Sequence, residues 1–229
     1  SNTDGTITST VQANQTAGFS IVTYTSNNTG GATVGHGLGK VPAMIITKNR
    51  EDDRNWGVYH HKVASDPETD ALFLNLTNGA SDNSAYWNDT APTSTVFSLG
   101  SGAGETNFPA SDGFIAYCFT EIEGYSKFGS YTGNGSTDNT YVHLGFLPQL
   151  VIIKNVSASA DWIIRDRLHS GYYSYLGNPI PIGLEPNTPD ALSGGSATNL
   201  DFTSSGFKVR GNDTRIGASN TYIYMAFAE

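Results

Sequence analysis

Four aromatic side chains lie in segments where they could bind a ligand. Tyr86 and Trp87 are in a polar stretch rich in Asn, Asp and Ser, and Tyr172 and Tyr173 are in a tyrosine-rich stretch. An exposed ring among Asn and Asp residues can stack on a sugar while its neighbours hydrogen-bond the hydroxyls, or it can anchor a protein contact. The alternative is that the ring packs beneath its own loop. We take these four residues as the candidate ligand-binding site.

The histidines are the other side chains that could act in catalysis or bind a metal ion. A catalytic role for His36 or His143 needs a nucleophile, a base and an orienting group in one place, and no motif supplies them. We expect each ring to hydrogen-bond a backbone carbonyl and fix its loop. His60 and His61 are adjacent, and adjacent side chains of a strand point to opposite faces, so we expect them not to share a metal ion. We therefore predict no catalytic residues and no metal site.

Acidic loops provide hard oxygen ligands, but their spacing is not that of a known calcium loop. Glu51–Asp53, Asp82, Asp138 and Asp213 lie in such loops, and none fits the EF-hand pattern. We predict no cofactor and keep calcium as an alternative. Two carboxylates at a suitable separation could also hydrolyse a glycosidic bond, and residue types alone do not decide this.

The elements that must position these residues occur twice in the chain. Segments of the first half match segments of the second half in the same order, just over a hundred positions further along. The matched pairs are 18–25 with 124–132, 36–49 with 143–155, and 114–121 with 222–229. The matched single residues are Pro42 with Pro148, Trp56 with Trp162, and His36 with His143. Positions present in both copies are expected to serve the architecture, with both tryptophans as core anchors. The unmatched loops, around Trp87 and over residues 172–189, are the places where we expect specific function.

Short apolar runs bounded by Gly, Asn, Asp and Pro predict strands rather than helices. We expect them near 18–25, 42–49, 55–60, 71–76, 94–99 and 113–121, and again near 124–132, 148–154, 161–166, 172–176, 199–209 and 221–228. About six strands per copy are typical of an antiparallel β-sandwich or jelly-roll-like lobe. The predicted organisation is all-β, with residues 1–17 as an N-terminal extension or arm. Residues 18–123 and 124–229 form two tandem homologous lobes in a pseudo-twofold relation.

The composition of the chain limits the kinds of partner that it is expected to bind. The net charge is −9 over 229 residues, which disfavours binding to nucleic acid or to an anionic membrane surface. A single cysteine, Cys118, leaves no intramolecular disulfide and is expected to be a buried, inert thiol. No apolar run approaches the roughly 20 residues that a spanning helix needs. We predict no nucleic-acid partner and no membrane insertion.

Residues 36–42 with 45–50, 128–135 and 222–229 carry a resemblance to a known group of proteins. They resemble a repeat domain of virion structural proteins of tailed bacteriophages, particularly marine and cyanobacterial phages, which often occurs beside lectin-like jelly-roll modules. The resemblance covers about residues 18–229. It implies an exposed fibre, appendage or capsid-decorating component, located in the virion or outside the cell, and it brings no catalytic or binding residues to positions of this chain.

The expected function is therefore non-enzymatic. We predict a structural or adhesion protein of a phage-like particle that forms a homo-oligomer or contacts other virion proteins, or that contacts a host-surface glycan. A carbohydrate-binding, lectin-like module is the second hypothesis, and a polysaccharide depolymerase is the third.

Overall fold

The computed structural model describes residues 1–167 and 178–229 and shows an all-β protein. It divides into two compact units. Unit 1 comprises residues 1–74 and 80–122, and unit 2 comprises residues 75–79 and 123–229. The predicted strand near 172–176 lies outside the described residues.

Unit 1 contains a seven-stranded antiparallel sheet and a two-stranded one. In chain order its strands are β1 Ser9–Asn14, β2 Phe19–Thr25, β3 Ala32–Gly35, β4 Met44–Asn49, β5 Gly57–His60, β6 Asp70–Phe73, β7 Ser81–Asp82, β8 Val96–Leu99 and β9 Gly113–Phe119. The large sheet has the order β1-β2-β9-β4-β5-β6-β7, and β3 pairs with β8. A 3₁₀ turn covers Pro67–Thr69, and the short helix α1 covers Ser84–Trp87. The continuous apolar run at the start of β4 fits its central place in the sheet, since β4 lies between β9 and β5.

The core of unit 1 lies between its two sheets. Alternate residues of β2 and β9, such as Val22 and Phe114, meet Val34 of β3 and Phe97 of β8 in one buried cluster. Cys118 is in the same cluster, and burial raises the pKa of its thiol to about 12, so the predicted buried thiol is confirmed. The period-two alternation of these strands therefore separates a core face from an outer face.

Residues 9–14 form the edge strand of unit 1, in a segment that the sequence predicted to be an arm. Here β1 pairs with β2 in continuous register from Ser9 opposite Tyr24 to Asn14 opposite Phe19. The apolar pattern is weak because an edge strand buries only part of one face. Ser9 is buried and its hydroxyl donates to the carbonyl oxygen of Gly35, whereas Thr10, Gln12 and Asn14 are exposed.

Unit 2 contains a six-stranded antiparallel sheet and a three-stranded one among the described residues. Its strands are β10 Ser126–Thr132, β11 Tyr141–His143, β12 Leu150–Asn155, β13 Ile163–Asp166, β14 Ile182–Leu184, β15 Ser193–Gly194, β16 Leu200–Thr203, β17 Gly206–Val209 and β18 Thr221–Phe227. The sheet orders are β10-β18-β12-β13-β14-β15 and β11-β17-β16. A 3₁₀ turn covers Ser196–Thr198. The single strand predicted over 199–209 is in fact the hairpin of β16 and β17.

The core of unit 2 also lies between its sheets. Tyr131, Ile153 and Tyr224 of the larger sheet pack with Phe207 and Leu200 of the smaller one. Tyr131 stacks on Tyr222, with ring centroids 5.0 Å apart, and its hydroxyl donates to the carbonyl oxygen of Ile216 at 2.7 Å. The hydroxyl of this buried tyrosine therefore has a hydrogen-bond acceptor while its ring fills the core.

The prediction that both matched tryptophans are core anchors is confirmed for Trp162 and wrong for Trp56. Trp162 is a buried hydrophobic residue of unit 2, with 1% of its surface exposed. Trp56 is only half-buried and stacks on Tyr117, with ring centroids 6.5 Å apart. Tyr117 points away from the core because its neighbours Ala116 and Cys118 point into it. Trp56 therefore lies against the outer face of the large sheet.

Candidate functional site

The predicted site at Tyr86 and Trp87 is not an exposed aromatic platform. Asn83 caps α1 by accepting a hydrogen bond from the backbone N–H of Ala85 at 2.9 Å, and Asn88 ends the helix in the left-handed conformation. This single turn directs Trp87 into the core, where 2% of its surface is exposed and its ring meets Tyr59 edge-on. A ring buried in this way offers no face to a sugar. The expectation of an exposed Trp87 is wrong, and the alternative of a ring beneath its own loop is what the structure shows.

Tyr86 is half-buried and packs on the edge of the same core. Its ring meets Phe73 at a centroid distance of 5.6 Å in an edge-on arrangement. Burial, with a smaller contribution from the charge of Glu105, raises the pKa of its phenol. Tyr172 and Tyr173, the other half of the predicted site, lie outside the described residues.

The matched histidines, His36 and His143, differ in burial and in their hydrogen bonds. The ring of His36 is fully buried, with Nε2 at 3.2 Å from the carbonyl oxygen of Thr93 and Nδ1 accepting from the backbone N–H of Leu38. Burial lowers the pKa of His36 despite that carbonyl contact. The prediction is confirmed for His36. It is wrong for His143, which is exposed on β11, where its own carbonyl accepts from Lys127 Nζ.

His60 and His61 lie closer together than the sequence predicted. Their ring centroids are 5.4 Å apart, since strand β5 ends at His60 and the alternation of faces ends with it. His60 is buried and its Nδ1 accepts from the backbone N–H of Lys62. Over residues 1–167 and 178–229, no group of three or more His, Cys, Asp or Glu side chains is placed to hold a metal ion.

Several of the acidic residues considered for calcium are engaged by cations of the protein. Lys208 Nζ lies 2.9 Å from Asp138, and Arg215 Nε lies 2.8 Å from Asp213. Hydrogen bonds from these partners lower the pKa of both carboxyls. Asp52 is held in the same way by Arg54.

Buried asparagines organise the long loops, a role that the sequence did not reveal. In unit 1, Asn107 Oδ1 accepts from the backbone N–H of Asn27 at 3.0 Å, and its Nδ2 donates to the carbonyl oxygen of Gly100 at 2.9 Å. In unit 2, Asn139 Nδ2 donates to the carbonyl oxygens of Gly211 and Gly217 at 3.0 and 2.7 Å. Each amide joins two loops distant in sequence, so these loops are held in one arrangement.

The outer face of β1 and β2 carries two surface hollows. One, of about 570 Å³, is lined by Gln12–Gln15 with Phe19 and Ile21. The next, of about 330 Å³, is lined by threonines of both strands together with Arg50 and Glu51. We call the outward-facing residues of these two hollows the polar strip, which consists of Thr8, Thr10, Gln12, Asn14, Phe19, Ile21, Thr23, Thr25, Arg50 and Glu51. The alternation of polar residues from Thr8 to Asn14 is the sequence pattern that could have indicated it.

Fold and surface together define an all-β, antiparallel protein of two compact units whose loops are fixed by buried amides. The described residues contain no helix long and apolar enough to cross a membrane. The chain belongs to the family described as Domain of unknown function (DUF7483), which matches residues 1–229. No curated protein and no solved structure matches it.

Proposed function

We propose that the chain is a non-enzymatic structural and adhesion component of a phage-like particle, located in the virion or outside the cell. It acts as a fibre, appendage or capsid decoration that contacts neighbouring copies, other virion proteins or the host surface. The single observation that carries this proposal is the fixing of long surface loops by the buried side chains of Asn107 and Asn139. Rigid loops lose little conformational entropy on association, which favours a presenting surface.

We also propose that the two units arose by tandem duplication. The support is the order of strands in the large sheets. In unit 1, β2-β9-β4-β5 follow one another as β10-β18-β12-β13 do in unit 2. The tyrosines at matched positions agree as well, since Tyr24 donates to the carbonyl oxygen of Thr106 and Tyr131 to that of Ile216. The pseudo-twofold relation stays a prediction.

A carbohydrate-binding, lectin-like module is the second candidate function. The observation that favours it is the polar strip, because hydroxyl and amide groups around an open hollow are suited to a polyhydroxylated ligand. Calcium assistance remains part of this hypothesis and would appear as a melting temperature that falls on addition of a chelator.

The virion assignment can be tested on particles. Antibodies raised against the purified chain should label intact particles of a phage that encodes it, as seen by electron microscopy with gold-conjugated secondary antibody. Labelling confined to lysed host cells, with the chain absent from purified particles by mass spectrometry, would contradict the proposal.

A further inference from the structure

The threonine hydroxyls of the polar strip differ in their hydrogen bonding from those of several other threonines of unit 1. Thr6 and Thr33 bind each other reciprocally, each hydroxyl accepting from the other's backbone N–H at 2.9 Å, and the Thr90 hydroxyl donates to the carbonyl oxygen of Asn88. The hydroxyls of Thr10 and Thr23, by contrast, have no hydrogen-bond partner among the described residues. A hydroxyl is both donor and acceptor, so the strip offers unused capacity of both kinds.

These groups share one face because of the register of β1 on β2. Thr10 lies opposite Thr23, Gln12 opposite Ile21 and Asn14 opposite Phe19. Residues opposite each other in an antiparallel pair have side chains on the same face, and alternate residues repeat that face. From Thr8 to Asn14 the strip therefore extends for about 20 Å at ~3.3 Å per residue. It accommodates an extended ligand.

The two ends of the strip are chemically different. At one end the ring of Phe19 lines the larger hollow beside the carboxamides of Gln12 and Asn14. At the other end Glu51 Oε1 accepts from the backbone N–H of Gly113 at 2.9 Å, and Arg50 lines the same hollow. The charges of Arg50 and Glu51 offset each other, so the strip favours a neutral ligand.

We infer that the polar strip binds an unbranched, neutral oligosaccharide along β1 and β2. The ring of Phe19 would contact the apolar face of one sugar, and the amides and threonine hydroxyls would hydrogen-bond the hydroxyls of the sugars that follow. Nucleic acid is disfavoured because Arg50 is the single cation of the strip in a chain of net charge −9. This inference rests on the proposed adhesion function and names the ligand class of its host contact.

The test is calorimetric titration of the whole chain with neutral oligosaccharides of the glucose, mannose, galactose and N-acetylglucosamine series, from disaccharide to hexasaccharide. The decisive variant is Thr10→Val with Thr23→Val, which removes two facing hydroxyls and keeps shape and strand propensity. Thr132→Val with Thr221→Val is the matched control, because these threonines also face each other across two strands, in unit 2.

At least one series should bind with affinity that rises with chain length. The Thr10 and Thr23 double variant should bind it about tenfold or more weakly, as the loss of two hydrogen bonds predicts, while the control double variant binds as the parent does. No binding by any series, or equal losses in both double variants, would overturn the inference, as would binding confined to extended peptides. Light scattering of the same variants measures their assembly, and so distinguishes a lack of sugar binding from failure of the proposed function. A chain that assembles but binds no sugar contradicts the ligand assignment alone.

Discussion

Lys154 Nζ donates a hydrogen bond to the carbonyl oxygen of Thr77 at 2.9 Å inside unit 2. The same nitrogen donates to the carbonyl oxygens of Asn155 and Ala160, also at 2.9 Å. Its three N–H groups are therefore all used, although the side chain is fully buried. This ammonium group fixes residues 75–79 within unit 2.

Burial gives this lysine a measurable pH signature. It lowers the pKa of Lys154 to about 8, whereas lysine in an unfolded chain titrates near 10.4. Between these values the unfolded chain binds more protons than the folded one, so this group's contribution to the free energy of unfolding rises with pH. Denaturant titrations from pH 7 to 10.5 give the free energy of unfolding of the parent and of Lys154→Met. The parent value minus the variant value should rise above about pH 8. A difference that stays constant would contradict the assigned pKa.

The buried amide of Asn139 is expected to be needed for the order of its loops. Asn139→Asp keeps the shape but removes the N–H groups that donate to Gly211 and Gly217. We expect a loss of about 2 kcal/mol or more in the free energy of unfolding, since the carbonyls of a buried site lose their donors. Hydrogen exchange should become faster over residues 134–140 and 211–217. Asn134→Asp, at an exposed position of the same loop, is the control, and equal effects of the two variants would contradict the role assigned to Asn139.

Trp87 is expected to matter for stability and not for ligand binding. Trp87→Ala removes a ring from the core of unit 1 and should cost about 3–5 kcal/mol of unfolding free energy. Trp87→Phe should cost less and leave any oligosaccharide affinity unchanged, because the ring does not line the polar strip. Calorimetric melting and titration measure the two properties separately. A folded Trp87→Phe variant that loses sugar binding would restore the site that the sequence predicted.

The strands were largely predictable from sequence because alternation reports which face is buried. The strands β2 and β9 satisfy this condition, since their alternate, inward residues fill the core of unit 1. Strand β1 was missed because an edge strand buries few of its residues, and its polar outer positions resemble a loop. These same positions form the polar strip, so the feature that concealed the strand is the one that indicates a surface role.

The local environments of single residues were harder to predict. The sequence around Asn83 and Asn88 indicated a polar loop, but these residues cap a single helical turn that directs Trp87 inward. Asn107 binds Asn27 and Asn139 binds Gly217 across 80 and 78 residues of sequence, and no local pattern encodes such contacts. Matching the two copies also misled for His36 and His143, because equal residue type did not ensure equal burial.

Assembly is the central claim about the function of the chain. Light scattering coupled to size exclusion, over a wide range of protein concentration, gives the mass of the particle in solution. We expect a mass that is a multiple of the single chain, with ordered fibres or rings visible by electron microscopy at the highest concentrations. The mass of one chain at every concentration would contradict the account.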